Sequence, residues 1–167
     1  MDWDQYFMSL VFLLAMKSKD KSTHVGAVVV ADDNTILATG YNSFPRGCQD
    51  HLPERQERPE KYFWFEHAER NAIYNAARKG HKLEGSRLYT NGVPCMDCAR
   101  GVVQAGIKEV IVSNLWENPN WVASSAKSLD LFKECGIMTR VYSGPIVDRI
   151  DSLMLGVQHF PGAKKDN

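Results

Sequence analysis

The chain has 167 residues, with 20 basic and 20 acidic side chains, so its formal net charge at neutral pH is zero. A chain of this length fits one domain that buries roughly 70% of its unfolded surface, and we predict a single domain over residues 1–167. The charge balance argues against a nucleic acid polymer as the main partner, because proteins that bind one usually carry a basic surface. A small anionic ligand stays compatible with it, since such a ligand needs only a local cluster of charge.

The cysteines and the apolar N-terminal stretch indicate the compartment. Four cysteines without a secretory signal favour a reducing compartment, where thiols serve metals or catalysis. The stretch from Tyr6 to Met16 is too short to cross a bilayer and follows acidic Asp2 and Asp4, unlike a signal peptide. We therefore expect a cytoplasmic protein without a membrane partner.

The first half of the chain is predicted to contain a helix, a hairpin and a long loop. The helix covers Trp3 to Lys17 and is apolar on nearly all sides, as in helices packed on a sheet. Strands over 25–30 and 35–39 flank a turn at 32–34 and form a β-hairpin. From Asn42 to Lys61 the chain is polar, rich in proline and expected to be irregular, and a loop of this length is usually functional or mobile.

Helices and strands alternate after this loop. Glycines and Pro94 mark the helix ends. The predicted helices cover 67–79, 95–105, 124–134 and 146–155, and the predicted strands cover 87–91, 109–113 and 138–142. Strands separated by helices imply parallel neighbours, whereas the hairpin is antiparallel. The sequence therefore predicts an α/β fold with a mixed sheet of about five strands that helices cover on both faces.

Two short segments carry the residues with metal chemistry, Glu66-His-Ala-Glu69 and Pro94-Cys-Met-Asp-Cys98. His67, Cys95 and Cys98 supply three zinc ligands, which leaves the fourth tetrahedral position for water, as in catalytic zinc sites. Cys95 and Cys98 share a helix face because they are three residues apart. His67 and Glu69 reach one point only if that point lies beyond the start of their helix. We predict Zn²⁺ between two helix N-termini, whose dipoles favour thiolates.

Glu69 is predicted to be the catalytic residue. His-x-Glu, followed about one βα unit later by Pro-Cys-x-x-Cys, is the signature of zinc nucleobase deaminases. Two thiolates cancel the formal charge of Zn²⁺, so a carboxylate that accepts a proton from water compensates for the weaker Lewis acid. The alternative is a closed structural site in which Cys48 or His51 supplies a fourth ligand.

At these residues the chain resembles the deoxycytidylate deaminase family of the cytidine deaminase superfamily, over Ser18 to Val141. Its other marks are Ser18-Lys-Asp20, Val25-Gly-Ala27, Gly40-Tyr-Asn42, Pro45, Gly47-Cys48, Asn71-Ala-Ile73 and Gln104-Ala-Gly-Ile107. The resemblance implies a three-layer α/β/α fold, conversion of dCMP to dUMP and ammonia for thymidylate synthesis, and a homohexamer. It also implies activation by dCTP and inhibition by dTTP, with Mg²⁺ accompanying the triphosphate.

The resemblance also implies which residues bind the nucleotides. Asn42 would bind the sugar and base, and the segment from Ser18 to Ser22 would meet the phosphate. The full set of expected substrate-binding residues is Ser18, Lys19, Lys21, Ser22, Asn42 and Ala68. A solvated run of charge is the alternative reading of the lysines. The expected effector residues are Arg46, Cys48 and Asp50, for which an ordinary loop is the alternative.

Three departures from the family pattern bear on substrate preference and regulation. Ser43 follows Asn42, where many members have glycine, and Arg70 follows Glu69, where a smaller or apolar residue is common. The segment Asn91-Gly-Val93 before Pro94 lacks the aromatic residue that some members have there. Three other functions share parts of the pattern: a tRNA or DNA editing deaminase, a deaminase of another heterocycle, and a non-catalytic nucleotide-binding regulator. The balanced charge disfavours the first, and the intact metal and Glu69 set disfavours the last.

Overall fold

The computed structural model describes residues 1–114 and 119–147, and it describes side chains throughout these ranges except at 119–121. The helices are α1 (Trp3–Ala15), α2 (Lys61–Trp64), α3 (Ala68–Lys79), α4 (Met96–Gln104) and α5 (Pro119–Glu134). The strands are β1 (Gly26–Val30), β2 (Ile36–Tyr41), β3 (Arg87–Thr90), β4 (Glu109–Val112) and β5 (Met138–Val141). Most of the helix predicted over 146–155 lies outside the described residues.

Two local predictions were wrong. The loop predicted to be irregular contains a 3₁₀ turn at Pro53–Gln56 and leads directly into α2. Helix α5 begins at Pro119 and not at Ser124. Proline suits the first turn of a helix, because the N–H group that it lacks would have no partner within the helix there. Pro119 is therefore a start signal that the prediction did not use.

The five strands form one sheet in the order β2-β1-β3-β4-β5. Strand β1 is antiparallel to both β2 and β3, whereas β3, β4 and β5 are parallel to one another. The predicted mixed sheet is therefore confirmed. Its parallel half places the carboxyl end of β3 next to the start of α4, which is where Cys95 lies.

Helix α1 covers one face of the sheet. Asp2 caps its start by accepting a hydrogen bond of 2.7 Å from the Gln5 amide. Phe7, Met8 and Val11 are fully buried against strand residues of that face, which belong to one apolar cluster with them. Among the described helices, none is long and apolar enough to cross a membrane.

Helices α3, α4 and α5 cover the other face. Their buried side chains, which include Ala72, Val102 and Phe132, share a second apolar cluster with Val29 and Leu88 of the sheet. Successive residues of a strand point to opposite faces, so β1 is buried along its whole length only because both faces are covered. The three-layer α/β/α fold implied by the resemblance is confirmed.

Gly40 sets how closely α3 approaches the sheet. A Cβ atom there would lie 2.2 Å from the Ala68 carbonyl oxygen and 2.5 Å from the Ala72 nitrogen, both backbone atoms that cannot turn away. Ala68 is the first residue of α3, directly after His67. Because Gly40 has no side chain, the start of α3, which carries His67 and Glu69, can lie directly against β2.

We expect Gly40→Ala to lower the free energy of unfolding by about 1–3 kcal/mol, because the methyl group overpacks the β2–α3 contact. Urea unfolding of the zinc-loaded variant measures the loss. Gly101→Ala is the matched control, and we expect it not to lower the free energy of unfolding. Its Cβ would meet Ile73 Cδ1 at an ordinary 3.5 Å, and alanine favours a helix more than glycine does. Equal stability of Gly40→Ala and wild type would contradict the role given to this contact.

Candidate metal centre and active site

Two of the three predicted metal ligands are N-cap residues, each at the start of a different helix. His67 is the N-cap of α3, with φ −78° and ψ 155°, and Cys95 is the N-cap of α4, with φ −67° and ψ 167°. Neither side chain forms a capping hydrogen bond to its own helix. Cys98 lies one turn into α4 and is fully buried.

The ligand atoms of the three side chains lie as far apart as those around a tetrahedral metal ion. The Nδ1 atom of His67 lies 3.4 Å from Cys95 Sγ and 3.5 Å from Cys98 Sγ. Typical zinc bonds to nitrogen and sulfur at a tetrahedral angle place such atoms about 3.6 Å apart. Among the described residues, these three form the one group of His, Cys, Asp or Glu side chains that fits a metal ion. Neither Cys48 nor His51 joins it as a fourth ligand.

Protons are unevenly shared within this group. A hydrogen bond from Cys98 lowers the pKa of the Cys95 thiol to about 4. The same bond, which uses the Cys98 proton, raises the pKa of Cys98. The hydrogen bond with Cys95 also raises the pKa of His67. A divalent cation competes with these protons for the same three atoms, so its affinity should fall as the pH falls.

Glu69 lies beside the ligand group and is 4% exposed. It lines a cavity of about 320 Å³ together with His67 and Cys95. Burial raises its pKa above the ordinary value for a glutamate, with the neighbouring His67 opposing that shift. A buried carboxylate beside a metal-ligand group and open to a cavity is suited to moving protons to and from a bound molecule.

Three of the expected substrate-binding residues line this cavity, namely Ser22, Asn42 and Ala68. The Asn42 amide holds the chain ahead of β1, since its oxygen accepts a hydrogen bond from the Val25 amide at 2.8 Å. Its nitrogen donates to the Thr23 carbonyl oxygen at 2.8 Å. The nucleotide-binding roles of these three residues stay predictions.

The other expected substrate residues lie outside the cavity lining. Ser18 donates a hydrogen bond to the Asn42 carbonyl oxygen at 2.9 Å, and Lys21 is exposed. Lys19 forms an ion pair with Asp50, one of the expected effector residues. The pairing joins two groups that the sequence analysis assigned to different ligands.

The remaining expected effector residues lie apart from the metal group. Arg46 is exposed and donates a hydrogen bond to the Asn75 side chain, and Cys48 is half-buried. Neither lines the cavity that contains Glu69. Their effector roles stay predictions.

Three charged residues also line the cavity, namely Asp20, Arg58 and Lys61. Asp20 belongs to the segment from Ser18 to Ser22 that was expected to meet the phosphate, whereas Arg58 and Lys61 were not predicted from the sequence. Arg58 and Lys61 flank Pro59-Glu60 and precede the aromatic run Tyr62-Phe-Trp-Phe65. Tyr62 and Phe65 line the cavity, although only Phe65 of this run is buried. Two basic residues beside an aromatic run are the sequence signal that could have drawn attention to this segment.

Arg70, one of the three departures from the family pattern, connects the two ligand-bearing segments. Its Nε atom donates a hydrogen bond of 2.6 Å to Glu66, whose side chain also accepts from the His67 amide at 2.9 Å. Its Nη1 atom lies 3.7 Å from Asp97, which stands between Cys95 and Cys98. Arg70 therefore has a structural role at the back of the metal group.

Comparisons with known proteins agree with this geometry. A family model described as the cytidine and deoxycytidylate deaminase zinc-binding region matches residues 1–114. The deoxycytidylate deaminase of Mus musculus is 37% identical over 148 residues, which are 86% of this chain and 81% of that protein. The probable deoxycytidylate deaminase of Drosophila melanogaster is 39% identical over 139 residues, which are 77% of this chain and 68% of that protein.

A solved structure of a dCMP deaminase has a similar fold. The dCMP deaminase from the cyanophage S-TIM5, in complex with dCMP and dUMP, superposes with a TM-score of 0.69 at 27% identity. The superposition covers 83% of this chain and 96% of that one. The fold and the metal-ligand group thus define a zinc-dependent hydrolase with the cytidine deaminase fold. The family match and the identity to its members show that the chain belongs to the deoxycytidylate deaminase family.

Proposed function

We propose that the chain converts dCMP to dUMP and ammonia by hydrolysis. The observation that carries the proposal is a single cavity lined both by Glu69 beside the His67 and Cys95 ligand atoms and by the cationic side chain of Arg58. Such a cavity suits a pyrimidine that reacts at its ring and bears an anionic phosphate. Its volume, about 320 Å³, falls in the usual range of small-molecule sites. The relatives of the same family that are named for dCMP support this substrate.

In this proposal, His67, Cys95 and Cys98 hold the zinc ion. Zinc supplies, when bound, a Lewis acid that makes a water molecule nucleophilic at neutral pH. Glu69 accepts a proton from the attacking water and delivers protons to the ring nitrogen and the departing amine. Phe65 and Val93 line the cavity with apolar surface, which limits the access of bulk water to the reacting ring.

We assign the phosphate of the nucleotide to Arg58. Among the described residues, Arg58 forms no ion pair with a carboxylate, whereas Lys61 in the same cavity is paired with Asp20. The Arg58 guanidinium lies 6.0 Å from the centre of the Tyr62 ring, close enough for a cation–π contact that holds it over the cavity wall. The planar guanidinium matches the oxygens of a phosphate.

The assignment of Arg58 predicts a substrate-dependent loss of activity. We expect Arg58→Gln to lower kcat/KM for dCMP roughly tenfold and to leave kcat/KM for deoxycytidine unchanged, because a charge-assisted hydrogen bond in an exposed site contributes about 1.5 kcal/mol. Steady-state ammonia release with both substrates measures this. Lys19→Gln tests the competing assignment, and we expect no change because Lys19 faces Asp50 outside the cavity.

Two outcomes of this assay would decide against the proposal. A wild-type enzyme that uses deoxycytidine as well as dCMP would show that no phosphate site operates. A loss confined to Lys19→Gln would move the phosphate to the segment before β1, as the resemblance implies.

The finer functions implied by the resemblance stay part of this proposal. They are the supply of dUMP for thymidylate synthesis in the cytoplasm, the assembly of one-domain subunits into a homohexamer, and control by dCTP with Mg²⁺ and by dTTP. The same assay, repeated with each triphosphate, tests the regulation. A rate that neither triphosphate alters would remove the effector role of Arg46, Cys48 and Asp50.

A further inference from the structure

A buried ion pair forms part of the cavity wall. The Lys61 ammonium donates hydrogen bonds of 2.9 and 2.8 Å to the two carboxylate oxygens of Asp20, and both residues are 5% exposed. A third hydrogen bond from Lys61 reaches the Ser22 hydroxyl oxygen at 2.7 Å. The pair joins α2 to the segment ahead of β1, over 41 residues of sequence.

Asp20 is the centre of a larger hydrogen-bond network. One of its oxygens also accepts from the Ser22 amide at 2.8 Å, the Ser22 hydroxyl at 2.9 Å and the Thr23 amide at 3.2 Å. Its other oxygen lies 3.5 Å from the Asn42 side-chain nitrogen. Asn42 in turn holds Thr23 and Val25. Every member of this network lines the cavity that contains Glu69.

The network leaves Asp20 and Lys61 unsuited to binding the substrate phosphate or moving protons. Burial opposes ionisation of Asp20, but hydrogen bonds from Lys61 and Ser22 outweigh it and hold its pKa below the ordinary value. Asp20 is therefore ionised at neutral pH, and the pair carries no net charge. Its two oxygens already accept five hydrogen bonds from four groups of the protein, namely the Ser22 amide and hydroxyl, the Thr23 amide and the Lys61 ammonium.

Stability alone gives no reason for such a pair. Apolar residues of similar volume often stabilise a protein as well as a buried ion pair does, because charges lose hydration on burial. Here the pair instead fixes the directions of several backbone amides and of one side-chain amide along a cavity wall. Directed hydrogen bonds hold a wall in one geometry, which apolar contacts do less well.

We propose that Asp20 and Lys61 are positioning residues that hold the wall formed by Ser22, Thr23, Val25 and Asn42 in the geometry that binds the nucleotide. This inference rests on the proposed function, since it takes dCMP as the bound nucleotide. The pair acts on binding and not on the chemical step, because neither residue is one of the metal ligands or Glu69. The expected signature is a raised KM with kcat retained.

The test uses two variants that keep the buried charge balanced. Lys61→Arg keeps the ion pair but changes the donor geometry, and the double variant Asp20→Asn/Lys61→Met removes both charges with little change in volume. We expect both to bind zinc and to melt near the wild-type temperature. Their KM for dCMP should rise roughly tenfold while kcat stays within about threefold of wild type. Calorimetric binding of dUMP should weaken by the same factor.

The single variants and a surface pair serve as controls. Lys61→Met and Asp20→Asn each leave one buried charge unpaired, so we expect both to melt at lower temperature than the double variant. The exposed pair of Lys82 and Glu84 allows a matched double variant, Lys82→Met/Glu84→Gln, which should leave KM unchanged.

The outcomes separate the two proposals. A wild-type enzyme without dCMP turnover would defeat the proposed function and this inference with it. Wild-type turnover together with an unchanged KM in both test variants would defeat only the positioning role. A fall in kcat at unchanged KM would also contradict it, because the pair would then act on the chemical step.

Discussion

Glu69→Gln is expected to keep zinc at one ion per chain and to lower kcat for dCMP by about 10²-fold or more, the scale of general acid–base catalysis. Glutamine has nearly the same shape as glutamate but accepts no proton at neutral pH. Glu69 is buried and lies outside the group formed by His67, Cys95 and Cys98, so its replacement should leave the metal ligands in place. Metal analysis of the purified variant and single-turnover rates of dUMP formation measure the two effects separately.

Glu66→Gln is the matched control for this prediction. Glu66 is another carboxylate next to His67, but it faces Arg70 and does not line the cavity. We expect its kcat to stay within about tenfold of wild type, because the residue moves no proton in the reaction. Loss of zinc in Glu69→Gln, or a rate close to wild type, would show that the two roles are wrongly divided between Glu69 and the ligands.

Much of the fold could be predicted because its signals are local. Gly80, Gly106 and Gly136 follow the ends of α3, α4 and α5 and have φ of 72°, 73° and 72°, the left-handed conformation that glycine adopts most readily. The alternation of strands and helices then required parallel neighbours. The start of α5 was predicted at Ser124, five residues too late. Pro119 is the better start signal, because proline is common at the first position of a helix.

The metal group could be predicted for the same reason, since each of its two segments is continuous in sequence. His67 and Cys95 are N-cap residues, and their positions follow from the helix starts that flank them. The cavity wall could not be predicted in this way. Lys61 and Asp20 meet only through tertiary packing. Lys19 was expected at the phosphate because of the resemblance to the family, and no local signal in the sequence shows its pairing with Asp50.

His67→Ala is expected to lose zinc and activity together. Wild-type protein, purified without a chelator, should contain about one zinc per chain, because three soft ligands converge with tetrahedral spacing. Removing His67 leaves two thiolates, and a site with two protein ligands should release zinc to a chelator that the wild type resists. Competition with a chromophoric chelator measures the release without any assay of activity.

Added imidazole gives this prediction a sharper form. His67 lines the cavity, so an imidazole from solution can enter the space that His67→Gly vacates and supply the missing nitrogen. We expect it to restore part of the zinc binding and part of the turnover in that variant. His51→Ala is the control, because His51 was the alternative fourth ligand and lies outside the metal group; it should bind zinc like wild type. Full zinc retention by His67→Ala against the chelator, or zinc loss from His51→Ala, would overturn the ligand assignment.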